Sequence, residues 1–228
     1  MHLPTGADAR LTNPGERRAV VCVNGGTARE TAGTWSATLE WLVRRLVSDF
    51  PRLTFIEVRY RVKSWKQLPS CIEDCRAALT VAVDGGAEEI ALLGFSMGGA
   101  VSIAAADHPR VTTVIGLAPW IPDELDVGGL DGRRLAIVHG SLDRPVLGIP
   151  GVSLRSSLRG FARIRAREVE ATHTIVSGGL HGLALRRRGG GLVPLPRAGH
   201  WAALVADELR RFEARVAAAA PLIRPDRR

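Results

Sequence analysis

Short apolar runs alternate along this chain with segments whose apolar residues recur at helical spacing. The apolar runs span residues 19–23, 53–58, 89–93, 111–117, 135–138 and 169–176. Helical spacing occupies residues 35–47, 69–83, 97–107 and 201–216. Strands that are apolar on both faces, each followed by a helix, are typical of a parallel sheet covered by helices on both faces. We therefore predict an α/β fold with a mostly parallel sheet.

The spacing of these segments predicts one folded domain. No composition shift divides the 228 residues, so the domain is expected to span residues 18–220. The polar residues 1–17, which include Pro4 and Pro14, are expected to form a flexible arm, and residues 221–228 a basic tail. Only residues 118–134 separate two of the predicted strands, which is too few for a large helical cap. The site of such a domain is therefore expected to be open.

The composition excludes several classes of protein. With 46% hydrophobic residues the chain is too apolar to be disordered. The formal net charge of +8 comes almost entirely from arginines, but these are spread along the chain without interleaved aromatic residues, so no nucleic-acid partner is predicted. The longest uncharged stretch is interrupted by glycines, so no membrane span is predicted. The N-terminus has no apolar leader and three sparse cysteines suggest no disulfide framework, so we expect a cytoplasmic protein.

A serine lies at the boundary between a predicted strand and a segment of small residues, in Gly94-Phe95-Ser96-Met97-Gly98-Gly99. This is a G-x-S-x-G motif in a strand–turn–helix context. On such a turn the serine backbone is strained and the hydroxyl projects above the sheet. The following helix directs its positive end toward the serine, which favours an oxyanion nearby. The placement predicts Ser96 as a nucleophile, against the alternative of a helix N-cap.

A serine nucleophile needs a base, and two of the six histidines are placed to supply it. His181 follows the last long strand directly, at the sheet edge where Ser96 is expected. His200 immediately precedes the final helix. The remaining histidines lie in the arm, on the far side of the sheet, or within and at the end of strands: His2, His108, His173 and His139. The residues alone leave His181 and His200 open.

The base must in turn be oriented by an acid. Asp143 stands five residues after Val138, at the same predicted edge of the sheet. Asp123 is a rival acid because it follows the preceding strand, and a simple turn aspartate is the alternative for Asp143. The preferred order along the chain is Ser96, Asp143, His181, which is the order of hydrolases with a nucleophile elbow.

These motifs resemble the α/β-hydrolase superfamily over most of the chain, from Ala19 to about Arg215. The carriers are the Ser96 motif, Val138-His139-Gly140-Ser141-Leu142-Asp143 and the turn Asn24-Gly25-Gly26. Gly116-Leu117-Ala118-Pro119-Trp120 is similar to small lidless bacterial members related to dienelactone hydrolases. In those relatives the catalytic histidine lies in a Gly-Gly-x-His segment followed by a basic run. The resemblance therefore implies His181, ahead of Arg186-Arg187-Arg188, rather than His200.

The chain also departs from that resemblance. Dienelactone hydrolases proper carry a cysteine nucleophile, whereas this chain has Ser96, so their substrate does not transfer. Asn24 stands where a histidine is usual after the first strand. By position, the resemblance implies an oxyanion hole built from the backbone amides of Met97 and Gly26, with Gly25 as the neighbouring possibility.

The combined reading predicts a serine hydrolase that acts on a small-molecule carboxylic ester or thioester through an acyl-enzyme. Such chemistry needs no metal and no organic cofactor. Three alternatives stay open: acyl transfer to an acceptor other than water, a binding protein without turnover, and charge-driven binding to nucleic acid. The sequence does not define the oligomeric state or the natural substrate.

Overall fold

The computed structural model describes residues 1–144 and 151–215, which form eleven strands and five α-helices. The strands are β1 (Asp8–Thr12), β2 (Arg18–Val23), β3 (Thr31–Ala32), β4 (Leu53–Arg59), β5 (Val62–Lys63), β6 (Glu89–Phe95), β7 (Val111–Leu117), β8 (Arg134–Gly140), β9 (Glu170–Val176), β10 (Ala184–Arg186) and β11 (Leu192–Pro194). The helices are α1 (Ala37–Leu46), α2 (Leu68–Asp84), α3 (Met97–Ala104), α4 (Leu154–Arg165) and α5 (Ala198–Ala214). The tail expected at residues 221–228 lies outside the described residues.

Seven of the strands form one sheet, in the order β1-β4-β2-β6-β7-β8-β9. Every neighbouring pair is parallel except β1 with β4. The mostly parallel α/β sheet predicted from the apolar runs is confirmed. Two small antiparallel pairs, β3 with β5 and β10 with β11, lie outside this sheet.

The sheet separates two apolar layers because successive residues of its strands point to opposite faces. Val21 and Val23 of β2 pack in one layer with α2 and α3, whereas Val20 and Cys22 pack in the other layer with α1 and α5. The largest fully buried side chain of the second layer, Trp201, comes from α5. Burial of this sheet on both faces explains why the strands read as continuous apolar runs.

The first residues of the chain differ from the flexible arm expected at residues 1–17. Asp8–Thr12 is an edge strand of the main sheet, antiparallel to β4. Ala9 is buried against the core, and Arg10 donates hydrogen bonds to both carboxylate oxygens of Glu57 at 2.7 Å. This pairing with a distant strand is not visible in a short polar segment, which is why the sequence suggested a loose arm.

The connection between β7 and β8, all of which the structure describes, contains a single short 3₁₀ turn, Gly128–Leu130, and no α-helix. Among the described helices, none has both the length and the apolar composition needed to cross a bilayer. The carboxyl ends of β6, β8 and β9 lie side by side with β7, so the loops that follow them share one rim of the sheet. That rim holds the predicted site residues.

Candidate active site

Ser96 occupies a strained turn between β6 and α3. Its φ is 55° and its ψ is −119°, a backbone conformation that residues other than glycine rarely adopt. The turn is fixed on both sides, because the Ser96 amide donates to the Leu117 carbonyl at 2.9 Å and the Ser96 carbonyl accepts from the Trp120 amide at 2.9 Å. Such enforced strain is typical of functional sites.

Glycines make this turn possible. A β-carbon at Gly94 would overlap the backbone of Gly98, and one at Gly98 would overlap the carbonyl oxygen of Val23. The strand, the turn and the helix therefore approach one another more closely than any side chain would allow. The close approach brings Ser96 to the carboxyl end of β2 as well as to that of β6.

His181 lies in the loop between β9 and β10, and its ring bridges two predicted partners. Its Nε2 is 3.1 Å from Ser96 Oγ and its Nδ1 is 2.8 Å from Asp143 Oδ2. The Phe95 ring packs against the imidazole, with 5.0 Å between the centroids. The His181 side chain is only 9% exposed, so the ring has little freedom to leave this position.

Asp143 follows β8 and its carboxylate is completely shielded from solvent. One oxygen, Oδ1, accepts a hydrogen bond from the Val152 amide at 2.9 Å, while Oδ2 faces His181. A buried carboxylate is stable only where it is well hydrogen-bonded or paired. The two contacts hold the carboxylate in one orientation toward the imidazole.

A second histidine contacts the same carboxylate, a contact that was not predicted from the sequence. His139, fully buried at the end of β8, has its Nε2 2.9 Å from the Val152 carbonyl and 3.4 Å from Asp143 Oδ2. Both neighbours of Nε2 are acceptors, so this nitrogen carries the proton. Burial lowers the pKa of His139, which favours a neutral ring. The only sequence signal was its spacing, four residues before Asp143 after a strand.

The rival residues lie elsewhere. His200 is exposed in the first turn of α5, and no hydrogen bond joins it to Ser96 or Asp143. Asp123 is on the surface, where it pairs with Arg159 at 3.0 Å. The structure thus brings together Ser96, Asp143 and His181, the set preferred from the sequence, and leaves the two alternatives apart from it.

The turn after β2 supplies two backbone amides near Ser96. The Gly25 amide already donates to the Asn24 side-chain oxygen at 2.7 Å. Gly26 packs so closely on the Met97 side chain that a β-carbon there would overlap its sulfur. Neither the Gly26 amide nor the Met97 amide has an acceptor among the described residues. Of the two amides that the sequence left open, Gly26 is therefore the one free to bind a ligand oxygen.

An open cleft of about 410 Å³ lies beside Ser96 and His181. Its walls come from the turn after β2, the segment before α1 and the β10 strand, and they include Trp35, Lys63 and Arg186. A larger depression of about 500 Å³, around Asp131 and Arg167, lies at the opposite, amino-terminal edge of the sheet. Arg167 and Asp131 pair with each other there, so that depression offers no chemistry comparable to the cleft.

Comparison with known proteins identifies the fold. Neither the models of known protein families nor the curated proteins give a match to this sequence. Solved structures do match: Est1E from Butyrivibrio proteoclasticus with ferulic acid bound has a TM-score of 0.63 at 14% identity, covering 92% of this chain and 96% of its own. An alpha-beta serine hydrolase homologue from Coxiella burnetii has a TM-score of 0.65 at 21% identity, covering 92% and 95%.

An esterase from Pyrobaculum calidifontis is also similar, with a TM-score of 0.64 at 16% identity over 93% of this chain and 83% of its own. At these identities the likeness concerns the fold, and the chain has the α/β-hydrolase fold that its motifs resembled. A fold of this kind hosts many activities, so the activity must be argued from the site.

Proposed function

We propose that this protein is a serine hydrolase that cleaves a carboxylic ester or thioester through Ser96, His181 and Asp143. The observation that carries the proposal is the continuous contact from Ser96 Oγ to His181 Nε2 and from His181 Nδ1 to Asp143 Oδ2, at 3.1 and 2.8 Å. Both distances lie within hydrogen-bond reach, which is the geometric requirement for a base to activate a serine.

The first half of the reaction forms an acyl-enzyme. His181 Nε2 takes the proton of the Ser96 hydroxyl while Oγ attacks the carbonyl carbon, and the carbonyl oxygen becomes an oxyanion. The Met97 and Gly26 amides, which have no acceptor among the described residues, are the donors proposed for that oxyanion. When the intermediate collapses, the bond to the alcohol or thiol breaks and His181 returns the proton to the leaving group.

The second half regenerates the enzyme. A water molecule gives a proton to His181 and attacks the acyl carbon. When this second intermediate collapses, the bond to Ser96 Oγ breaks, His181 returns the proton to Oγ, and the carboxylic acid leaves. Asp143 holds the imidazole in the tautomer with the proton on Nδ1 and stabilises the imidazolium in both halves. The buried environment of the carboxylate strengthens this interaction relative to water.

Solved structures of similar fold support the proposed hydrolase activity, because they include an alpha-beta serine hydrolase homologue and an esterase. The open cleft and the absence of a helical cap between β7 and β8 favour a small-molecule substrate that enters from solvent.

A fluorophosphonate probe tests the proposal directly. An activated serine displaces fluoride from phosphorus, so the native protein is expected to acquire one covalent label, located on Ser96 by peptide mass spectrometry. Protein denatured by heat before exposure should stay unlabelled, because the contacts to His181 are lost. A native protein that takes up no label, or takes it up at another residue, would contradict the proposal.

His139 is expected to act as a positioning residue for the acid. His139→Leu removes the N–H that lies between Val152 and Asp143, leaving the buried Val152 carbonyl without a donor, which costs about 1–3 kcal/mol of stability. We expect kcat for a 4-nitrophenyl ester to fall about tenfold with KM unchanged, since the change loosens only the carboxylate.

The conservative variant separates this role from general destabilisation. His139→Gln can place an amide N–H near the position of Nε2 and is expected to recover most of kcat. If His139→Leu loses stability but keeps the parental kcat, His139 has a purely structural role.

A further inference from the structure

The cleft beside Ser96 has two cationic residues in its walls. Lys63 and Arg186 both line it, and none of the described residues that line it is an aspartate or a glutamate. The two cations nevertheless differ in what they contact. Their difference decides which of them is available to a bound molecule.

Arg186 is held from behind by a buried carboxylate. Its Nη2 donates to Glu40 Oε2 at 2.7 Å, and the Glu40 side chain is only 5% exposed. Arg10 and Arg44 bind the same carboxylate at 2.8 and 2.6 Å. The guanidinium of Arg186 is therefore part of a structural ion network that fixes β10 to α1.

Lys63 has no such partner. Its Nζ donates to the Thr34 hydroxyl at 2.9 Å, and no carboxylate among residues 1–144 and 151–215 lies within 4.0 Å of it. The Lys63 residue is half-buried, and burial lowers the pKa of its side chain. Removing a charge from water without a counterion is unfavourable. A substrate that brings an anion to this position would relieve that cost.

The backbone holds Lys63 close to the turn that contains Gly26. Lys63 pairs with Thr31 across the small β3–β5 pair, and its carbonyl accepts a hydrogen bond from the Thr27 hydroxyl at 2.9 Å. The Trp65 amide, two residues further, donates to the Thr27 carbonyl at 3.0 Å. These contacts tie the strand that bears Lys63 to the segment that follows Gly25 and Gly26.

We propose that Lys63 is a specificity residue that binds a carboxylate of the substrate, so that the preferred substrates are esters that carry a free carboxylate beside the scissile bond. The inference rests on the proposed function, because it places the carboxylate in the same cleft as Ser96. A lysine ammonium acts as a compact point charge. It can therefore pair with a carboxylate on either the acyl or the alcohol part of the ester.

Paired substrates test this inference. The acyl arm compares the 4-nitrophenyl monoesters of glutaric, adipic and suberic acids with the corresponding methyl 4-nitrophenyl diesters, with spontaneous release subtracted. The alcohol arm compares 3-butyryloxybenzoate with its methyl ester in a pH-stat. At least one anionic ester is expected to exceed its neutral partner in kcat/KM by about tenfold or more, mainly through KM. The arm in which this occurs identifies the part of the ester that carries the carboxylate.

Variants of the only two lysines make the test specific. Lys63→Met is expected to lower kcat/KM for the preferred anionic ester by about 10- to 100-fold and to leave its neutral partner within about twofold. Lys63→Arg keeps the charge and should restore most of the preference. Lys66, which is exposed and does not line the cleft, provides the control: Lys66→Met should behave as the parent protein.

A binding measurement keeps this inference separate from the proposed function. Monomethyl adipate is titrated into the Ser96→Ala protein and followed by tryptophan fluorescence, since Trp35 lines the same cleft. Binding that weakens about tenfold or more in Ser96→Ala/Lys63→Met supports the carboxylate site even if no ester is hydrolysed. If monomethyl adipate does not bind, or binds equally to both proteins, or if Lys63→Met lowers turnover of neutral and anionic esters alike, Lys63 does not select the substrate.

Discussion

Ser96→Ala is expected to reduce kcat/KM for a neutral 4-nitrophenyl ester by about 10⁴- to 10⁶-fold. Losses of this size are typical when a serine nucleophile that works together with a histidine base is removed. The physical reason is that no other hydroxyl lies against His181 in the described contacts. The remaining backbone amides could still stabilise an oxyanion, so a small rate above that of buffer is expected. The measurement is initial rate against substrate concentration.

The control is a serine on the helix that follows the Ser96 turn. Ser102 is fully buried in α3, its hydroxyl has no hydrogen-bond partner among the described residues, and it does not contact His181. Ser102→Ala removes the same group six residues further along the chain and is expected to keep kcat/KM within about twofold. Ser96→Ala should also melt within about 3 °C of the parent, because the removed hydroxyl contributes little to the core. Parental turnover in a folded Ser96→Ala protein would end the serine-hydrolase proposal.

The main sheet could be predicted from the sequence because its strands are buried on both faces. Val20 and Val21 point to opposite layers and both are completely buried, so β2 reads as a continuous apolar run. The strand β1 lacks this signal: Ala9 faces the core, whereas Arg10 lies beside the polar Glu57 at the edge of the sheet. A polar edge strand that pairs with a segment 47 residues away has no local pattern that distinguishes it from a loop.

The turn at Ser96 could also be predicted, because most of the residues that determine it lie close to Ser96 in the sequence. The glycines at 94 and 98 are required by contacts within a few residues of the turn and with the end of β2. The choice between His181 and His200 was not local. Both follow the last long strand, and only the path of the loop between β9 and β10 decides which ring reaches Ser96.

Two further residues of the site had no role predicted from the sequence. His139 reads as the end of an apolar strand, and its contact with Asp143 depends on the backbone of Val152, which folds back from the following segment. Lys63 reads as a surface lysine, and its position in the cleft depends on the pairing of β5 with β3. In both cases the neighbours come from elements distant in sequence, so their roles become visible only in three dimensions.

His181→Ala is expected to lower kcat/KM about as severely as Ser96→Ala, by roughly 10⁴- to 10⁶-fold, because serine and base act together and the loss of either removes the same step. Without the imidazole, nothing in contact with Ser96 Oγ can accept its proton. The Asp143 carboxylate also loses its partner at 2.8 Å. Added imidazole, which can enter the vacated space from the open cleft, is expected to restore part of the rate.

His200→Ala supplies the comparison that separates the two histidines left open by the sequence. Because His200 is exposed in the first turn of α5 and has no hydrogen bond to Ser96 or Asp143, its loss should change kcat/KM by no more than about twofold. The two variants are assayed together, with fluorophosphonate labelling as a second readout that should fail only in His181→Ala. The reverse result is activity that is lost in His200→Ala and kept in His181→Ala. It would mean that His200, at the start of α5, rather than His181 activates the serine, and it would contradict the proposed mechanism.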